Sequence, residues 1–224
     1  MKLAILFIGR IKFYTDVKEK LLSIKNKYGA TMFCSLNKKN KSPYIETFCN
    51  TFEMKEDQIH LERTPEPPQH ILSLPRNPHD IRNLYSYFYH VDKCFKLLEK
   101  YQEKHNVVFD CILYYRADVY NFDELEILPL KENTVFYMIE PELYYRGYGF
   151  FKDILYGNYE VMKKYSMIVN HLENLNKQYK CDHVECFIKH YMVDMNKINA
   201  NKYAYNYVMH PWRHQCLPEY DYFE

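Results

Sequence analysis

Glycine is scarce in this chain, five in 224 residues, so neither a glycine-rich flexible linker nor a collagen-like repeat is available to it. Charge of one sign is lacking too: 30 Lys and Arg face 29 Asp and Glu, a formal net charge of +1. That balance excludes a nucleic-acid binder held by a basic field, and an acidic solvating tail. No apolar run approaches the ~20 residues of a membrane-spanning helix. The best, Leu3 to Ile8, stops at Gly9 and is too short for a signal-peptide core. There is no C-x-x-C pair. The seven cysteines (34, 49, 94, 111, 181, 186, 216) are odd in number and scattered, the pattern of free thiols in a reducing compartment. A cytoplasmic location is therefore expected.

What the chain does have is aromatic mass, 24 Tyr and 14 Phe, within a 47 % hydrophobic and 26 % charged composition. That is ordinary for a globular core. Five of the ten prolines fall between Pro65 and Pro78, and this stretch reads as an extended loop. It lacks linker composition, so 1–224 reads as a single domain.

After Lys2, Leu3 to Ile8 is a continuous apolar run, the mark of a strand buried on both faces. Asp16-x-x-Glu19 reads as a capping box, with Val17, Leu21, Ile24 and Tyr28 at helical spacing and Gly29 as a C-terminal cap. Ala30 to Ser35 is the next strand, which completes a βαβ unit and requires a parallel sheet. Asn37-Lys-Lys-Asn-Lys41 reads as a solvated basic turn. Asp80 opens the strongest helix, with Ile81, Leu84, Phe88, Val91, Phe95 and Leu98 forming an apolar stripe that ends near Lys104. Val107 to Tyr115 and Thr134 to Ile139 read as strands, Tyr159 to Met167 and Asp182 to Met192 as helices, and Tyr203 to Met209 as a last β stretch. The alternation predicts an α/β fold, a mainly parallel sheet with helices on both sides.

Ligands of open α/β sheets bind beyond the carboxyl ends of the strands, which selects a small set of residues. Gly9 allows close backbone approach after the first strand, and Arg10 can meet an anion. Arg116-Ala-Asp118 follows the central strand, where a carboxylate can ligate a hard divalent ion; a structural Arg/Asp pair is the alternative. Gly147, Gly149 and Gly157 surround Asp153 in what reads as a ligand-cradling loop, with Asp153 a candidate base or sugar-hydroxyl acceptor. Ordinary turn glycines beside a helix N-cap are the alternative there. Cys181-Asp-His-Val-Glu-Cys186 contains H-x-E, but the P-C-x-x-C half of the zinc-deaminase signature is missing. Asp182 and Glu185 are accounted for as a capping box, without a metal. His210, before Pro211, is a better ligand candidate than His214.

In order and spacing, Ile5-Leu-Phe-Ile-Gly-Arg10, Arg82-Asn-Leu-Tyr-Ser-Tyr-Phe-Tyr89, Tyr114-Tyr-Arg-Ala-Asp-Val119, Asp153-Ile-Leu-Tyr-Gly-Asn158, Val161-Met-Lys-Lys-Tyr165 and His183-Val-Glu185 together resemble one family. It is the small GT-A-fold glycosyltransferases of large DNA viruses such as the chlorella viruses, related to bacterial polysaccharide and lipopolysaccharide enzymes. The resemblance spans nearly the whole chain. It implies a GT-A-like (Rossmann-like) fold, a nucleotide-diphospho-sugar donor and a glycan or glycoprotein acceptor in polysaccharide biosynthesis, with a viral protein acting in the host cytoplasm. It places Arg116-Ala-Asp118 at the family's D-x-D motif, with Asp118 ligating Mn²⁺ or Mg²⁺ and His210 as the late second ligand. It places Gly9 and Arg10 at the nucleotide, Asn83 and Ser86 by the donor, and Asp153 by the transferred sugar and the acceptor. Arg116 departs from the pattern by replacing the first Asp of D-x-D, which removes a negative charge beside the metal.

The chemistry expected follows from charge. Departure of a nucleoside diphosphate needs cationic stabilisation, from a metal and from Arg116 or Arg10. The acceptor hydroxyl must lose its proton to a carboxylate, Asp153 first and Glu185 second. Two other readings stay open: a sugar-phosphate nucleotidyltransferase, which would normally carry more glycine after strand one, and a non-catalytic nucleotide- or glycan-binding module.

Overall fold

The computed structural model describes residues 1–9, 11, 14–37, 43–74, 78–116, 119–122, 125–138, 153–181, 184–203 and 207–209. Its frame is a seven-stranded sheet in the order β3-β2-β1-β4-β7-β6-β8. The strands are β1 (Leu3–Ile8), β2 (Thr31–Asn37), β3 (Ile59–Glu62), β4 (Cys111–Arg116), β6 (Thr134–Met138), β7 (Ile154–Asn158) and β8 (Asn199–Tyr203). All run parallel except β7, which is antiparallel to both β4 and β6. A separate two-stranded ladder pairs β5 (Val119–Phe122) with β9 (Tyr207–Met209). The α/β class, with a mainly parallel sheet flanked by helices, is as the alternation predicts.

Alternation along the strands divides the core. From β1, Leu3, Ile5 and Phe7 enter one apolar cluster, while Ala4, Leu6 and Ile8 enter the other. Helix α1 (Tyr14–Tyr28) covers the first face with Val17, Leu21 and Ile24, and α2 (Pro43–Thr51) adds Phe48. The second face is covered by α4 (Pro78–His105), which buries the whole expected stripe from Ile81 to Leu98. Beside it lie α5 (Tyr159–Ser166), α6 (Leu172–Tyr179) and α7 (Val184–Lys189). Pro78 opens α4, where its missing N–H costs nothing. Gly29 closes α1 at φ +58°, with the Ala30 N–H donating to Lys25 O at 2.8 Å.

Several boundaries differ from the sequence reading. Helix α1 begins at Tyr14, so Asp16 lies inside it and not at its start. The proline-rich stretch holds a one-turn helix, α3 (Gln69–Leu72), begun after Pro68. The strand expected from Val107 starts only at Cys111, because α4 runs to His105 and the return loop leaves Val108 71 % exposed. The last β stretch is two strands: β8 extends the main sheet beside β6, and β9 leaves it for β5.

Candidate functional site

The register Ile8↔Arg116 sets the carboxyl ends of β1 and β4 side by side. Just beyond β1, exposed Gly9 has φ +123°, a conformation that L side chains rarely adopt. Because β7 runs backwards, its beginning lies at this same edge, where Tyr115 pairs with Ile154. Asp153 therefore falls opposite Arg116. The Arg116 N–H donates to Asp153 O at 2.9 Å, and Nη1 donates to Oδ1 at 2.8 Å. The Asp153 side chain is 1 % exposed and that of Arg116 15 %. A buried carboxylate thus holds a guanidinium at the sheet's carboxyl edge, a geometry suited to presenting a fixed cation to an anionic ligand.

This arrangement corrects one expectation. Asp153 immediately precedes β7 and its carboxylate accepts from the Arg116 guanidinium. Gly157 is not a loop residue but lies within β7, paired with Ile112 and Val135. A Cβ there would meet Thr134 O at 3.1 Å and Val161 Cγ1 at 3.2 Å, so the residue serves the close approach of α5 to the sheet. Gly147 and Gly149 lie outside the described residues.

β5 begins three residues after β4 ends, and the buried Tyr115 hydroxyl donates to the Val119 carbonyl. Val119 then pairs with Met209 in the β5–β9 ladder, which is antiparallel. Arg10, Asp118 and His210 lie outside the described residues. Glu185 is half-buried in the first turn of α7.

Asn83 and Ser86 fall in the first turns of α4, Asn83 exposed and Ser86 half-buried. A hydrogen-bond chain runs inward from Ser86 Oγ to Thr64 Oγ1 (2.8 Å), to His90 Nε2 (2.9 Å), and from His90 Nδ1 to Ser35 Oγ (2.8 Å). Burial pushes the His90 imidazole down to about 4, because nothing in this neutral relay compensates a desolvated charge. Sequence reasoning missed the relay. Its signals are a serine in the buried strand β2 and a histidine of α4 that lies off the apolar stripe, one residue before Val91. A cleft of about 300 Å³ is lined by Ile71, Tyr85, Val169 and Glu173 among others. A hollow at Lys55, Asp57 and His105 is an ion-pair groove, where Asp57 accepts from both Lys104 and His105.

Comparison with known proteins gives a match to the family model described as "Domain of unknown function (DUF7796)" over residues 51–179. No curated protein matches the chain. Among solved structures it is similar to a glycosyltransferase involved in glycosylation of the major capsid of PBCV-1, at 12 % identity and a TM-score of 0.45, covering 95 % of this chain and 82 % of that one. It is also similar to the galactosyltransferase LgtC, solved with donor and acceptor sugar analogues (14 % identity, TM-score 0.45, 89 % and 72 % covered). A third is the core-mannan synthase A of Aspergillus fumigatus in its Mn/GDP form (10 % identity, TM-score 0.47, 92 % and 74 % covered).

Proposed function

The chain belongs to the family described as domain of unknown function DUF7796, and we propose that it is a glycosyltransferase moving a sugar from a nucleoside-diphospho-sugar to a glycan hydroxyl, assisted by Mn²⁺ or Mg²⁺. The observation that carries this reading is the convergence of Gly9, the Arg116–Asp153 pair and the β5–β9 ladder at one sheet edge. Asp118 immediately precedes Val119 and His210 immediately follows Met209. An antiparallel ladder that pairs 119 with 209 brings the start of β5 and the finish of β9 to the same end of the ladder. A carboxylate oxygen and an imidazole nitrogen form a donor set that suits Mn²⁺. The chemistry a divalent ion supplies there is Lewis-acid stabilisation of the charge on the leaving diphosphate.

The chain's own residues do the remaining work. Arg116, standing where a D-x-D motif has its first Asp, offers its fork of N–H donors to the diphosphate and neutralises part of the diphosphate charge. Asp153, 1 % exposed and paired, acts as a positioning residue that keeps the guanidinium aimed. Removal of the acceptor proton then falls to Glu185, the half-buried carboxylate in the first turn of α7. Gly9 lets the nucleotide approach the backbone, and Arg10 adds a second cation there. Asn83 and Ser86 contact the donor from α4, with the Ser86 hydroxyl oriented by Thr64.

Thermal shift with UDP-, GDP- and TDP-sugars, with and without Mn²⁺, tests the reading. The true donor at about 100 times its Kd adds about 2.7 kcal/mol, or roughly 5–10 °C for a chain of this size. We expect that shift with Mn²⁺ and a smaller one in EDTA. No shift with any nucleotide sugar overturns the proposal. Among the described residues, no helix is long and apolar enough to cross a membrane. We place the reaction in the cytoplasm.

A further inference from the structure

A second group of ligand-type side chains lies in the helical layer, built from residues that the donor site does not use. Helix α6 ends at Lys180, whose φ of +51° turns the chain sharply into Cys181. Cys181 is 2 % exposed. Three residues later α7 begins, and at His190 it passes into a π-helical segment, His190–Met195. Cys186 and His190 are four residues apart across that junction, hence on one helical face. The ligand atoms of Cys181, Cys186 and His190 all lie within 4.8 Å of one another. In a tetrahedral zinc site, with bonds of about 2.0–2.3 Å, neighbouring donor atoms are roughly 3.5–3.8 Å apart.

A second observation points the same way. His190 Nδ1 is hydrogen-bonded to Asp194 Oδ2, and its ring stacks on Tyr179 at 4.0 Å between centroids and 6° between planes. A carboxylate on one ring nitrogen and a stacked ring on its face fix both tautomer and orientation, as outer-shell partners do for metal-ligating histidines. The nitrogen left for a metal is Nε2. The sequence reading assigned no metal to the Cys181–Cys186 stretch. His190 lies outside that stretch and joins it only through the fold.

We propose that Cys181, Cys186 and His190 bind one zinc ion through two thiolates and an imidazole, with water completing the tetrahedron. Two thiolates and an imidazole are a soft-to-borderline set that selects zinc over Mn²⁺ or Mg²⁺. Binding releases one proton from each cysteine and leaves His190 neutral. The ion would staple the turn between α6 and α7 to the start of the π-helical segment, and so hold the layer that carries Glu185.

The test uses the whole chain, reduced and stripped of metal, in an Asp118→Asn/His210→Ala background so that the donor site takes no ion. Titration with Co²⁺ should give one equivalent bound, with a thiolate-to-cobalt charge-transfer band that Zn²⁺ abolishes. Cys186→Ser and His190→Gln should lose the band and the equivalent. Asp194→Asn should weaken the affinity ~10–100-fold, the usual cost of an outer-shell partner. Circular dichroism of each metal-free variant checks that it folds, and both Cys186 and His190 are partly exposed, so replacing them spares the deep core. Absence of the band in the folded background protein, or its persistence in Cys186→Ser, overturns the proposal. Neither result bears on the glycosyltransferase reading, which uses none of these three residues.

Discussion

Replacing Asp153 with Asn strikes the Arg116–Asp153 pair directly. The carboxylate is 1 % exposed and sits 2.8 Å from a guanidinium whose side chain is 15 % exposed. Removing one member of a buried ion pair costs about 3–5 kcal/mol, because the other charge faces a low-dielectric surround without its counter-charge. The amide keeps a carbonyl able to accept one guanidinium N–H, so the loss expected is near 3 kcal/mol. In urea, with an m-value of about 3 kcal/mol per molar, the midpoint should fall by about 1 M with the slope unchanged. Adding Arg116→Met removes the cation as well, and the double variant should recover part of the loss. The cycle should return a coupling of about 1–3 kcal/mol. Kinetics separates two roles for Asp153. A residue that aims Arg116 at the diphosphate raises the donor KM when changed, whereas an acceptor base lowers kcat by ~10²-fold or more at constant KM. Additive stability losses, an unmoved midpoint, or a loss in kcat alone would refute the positioning role.

The relay at His90 sets a pH dependence. The imidazole lies at about 4 in the folded chain against about 6.5 unfolded, so the unfolded state binds the extra proton first. This group's contribution should be fully present above pH ~6.5, fall by about 3 kcal/mol between pH ~6.5 and ~4, and level off below that. Urea melts across that range should show the loss, and His90→Gln should flatten it. Gly157→Ala should destabilise by about 1–2 kcal/mol, the crowding against Thr134 O and Val161 outweighing the entropy gained in the unfolded chain; a higher melting temperature would contradict this. His210→Ala should weaken nucleotide binding in Mn²⁺ and leave it unchanged in EDTA, and calorimetry showing equal affinities for variant and native chain in both conditions would exclude His210 as a ligand.

Where a segment's own pattern decides its structure, the sequence was enough. β1 reads as buried on both faces because six apolar residues run without interruption, and α4 because its stripe never loses phase over five turns. β3 escaped because it is four residues long and only half-buried, and α2 because it follows a lysine-rich stretch of sequence. The site was harder for a different reason. Arg116 and Asp153 were singled out separately, but their pairing depends on β7 running against β4, and strand direction leaves no local mark. Gly157 reads as a loop glycine from sequence because its real constraint, the side chain of Val161 packed over it, is a tertiary contact. His190 joins Cys181 and Cys186 only once a π-helical segment sets its face.

The central claim rests most directly on donor turnover. The native chain, incubated with Mn²⁺ and a panel of UDP-, GDP- and TDP-sugars, should release nucleoside diphosphate from one of them, slowly with water alone and faster with a glycan acceptor. Asp118→Asn should abolish that release. If no nucleotide sugar is consumed with Mn²⁺ or Mg²⁺, with or without acceptor glycans, or if Asp118→Asn turns over at the native rate, the account is contradicted.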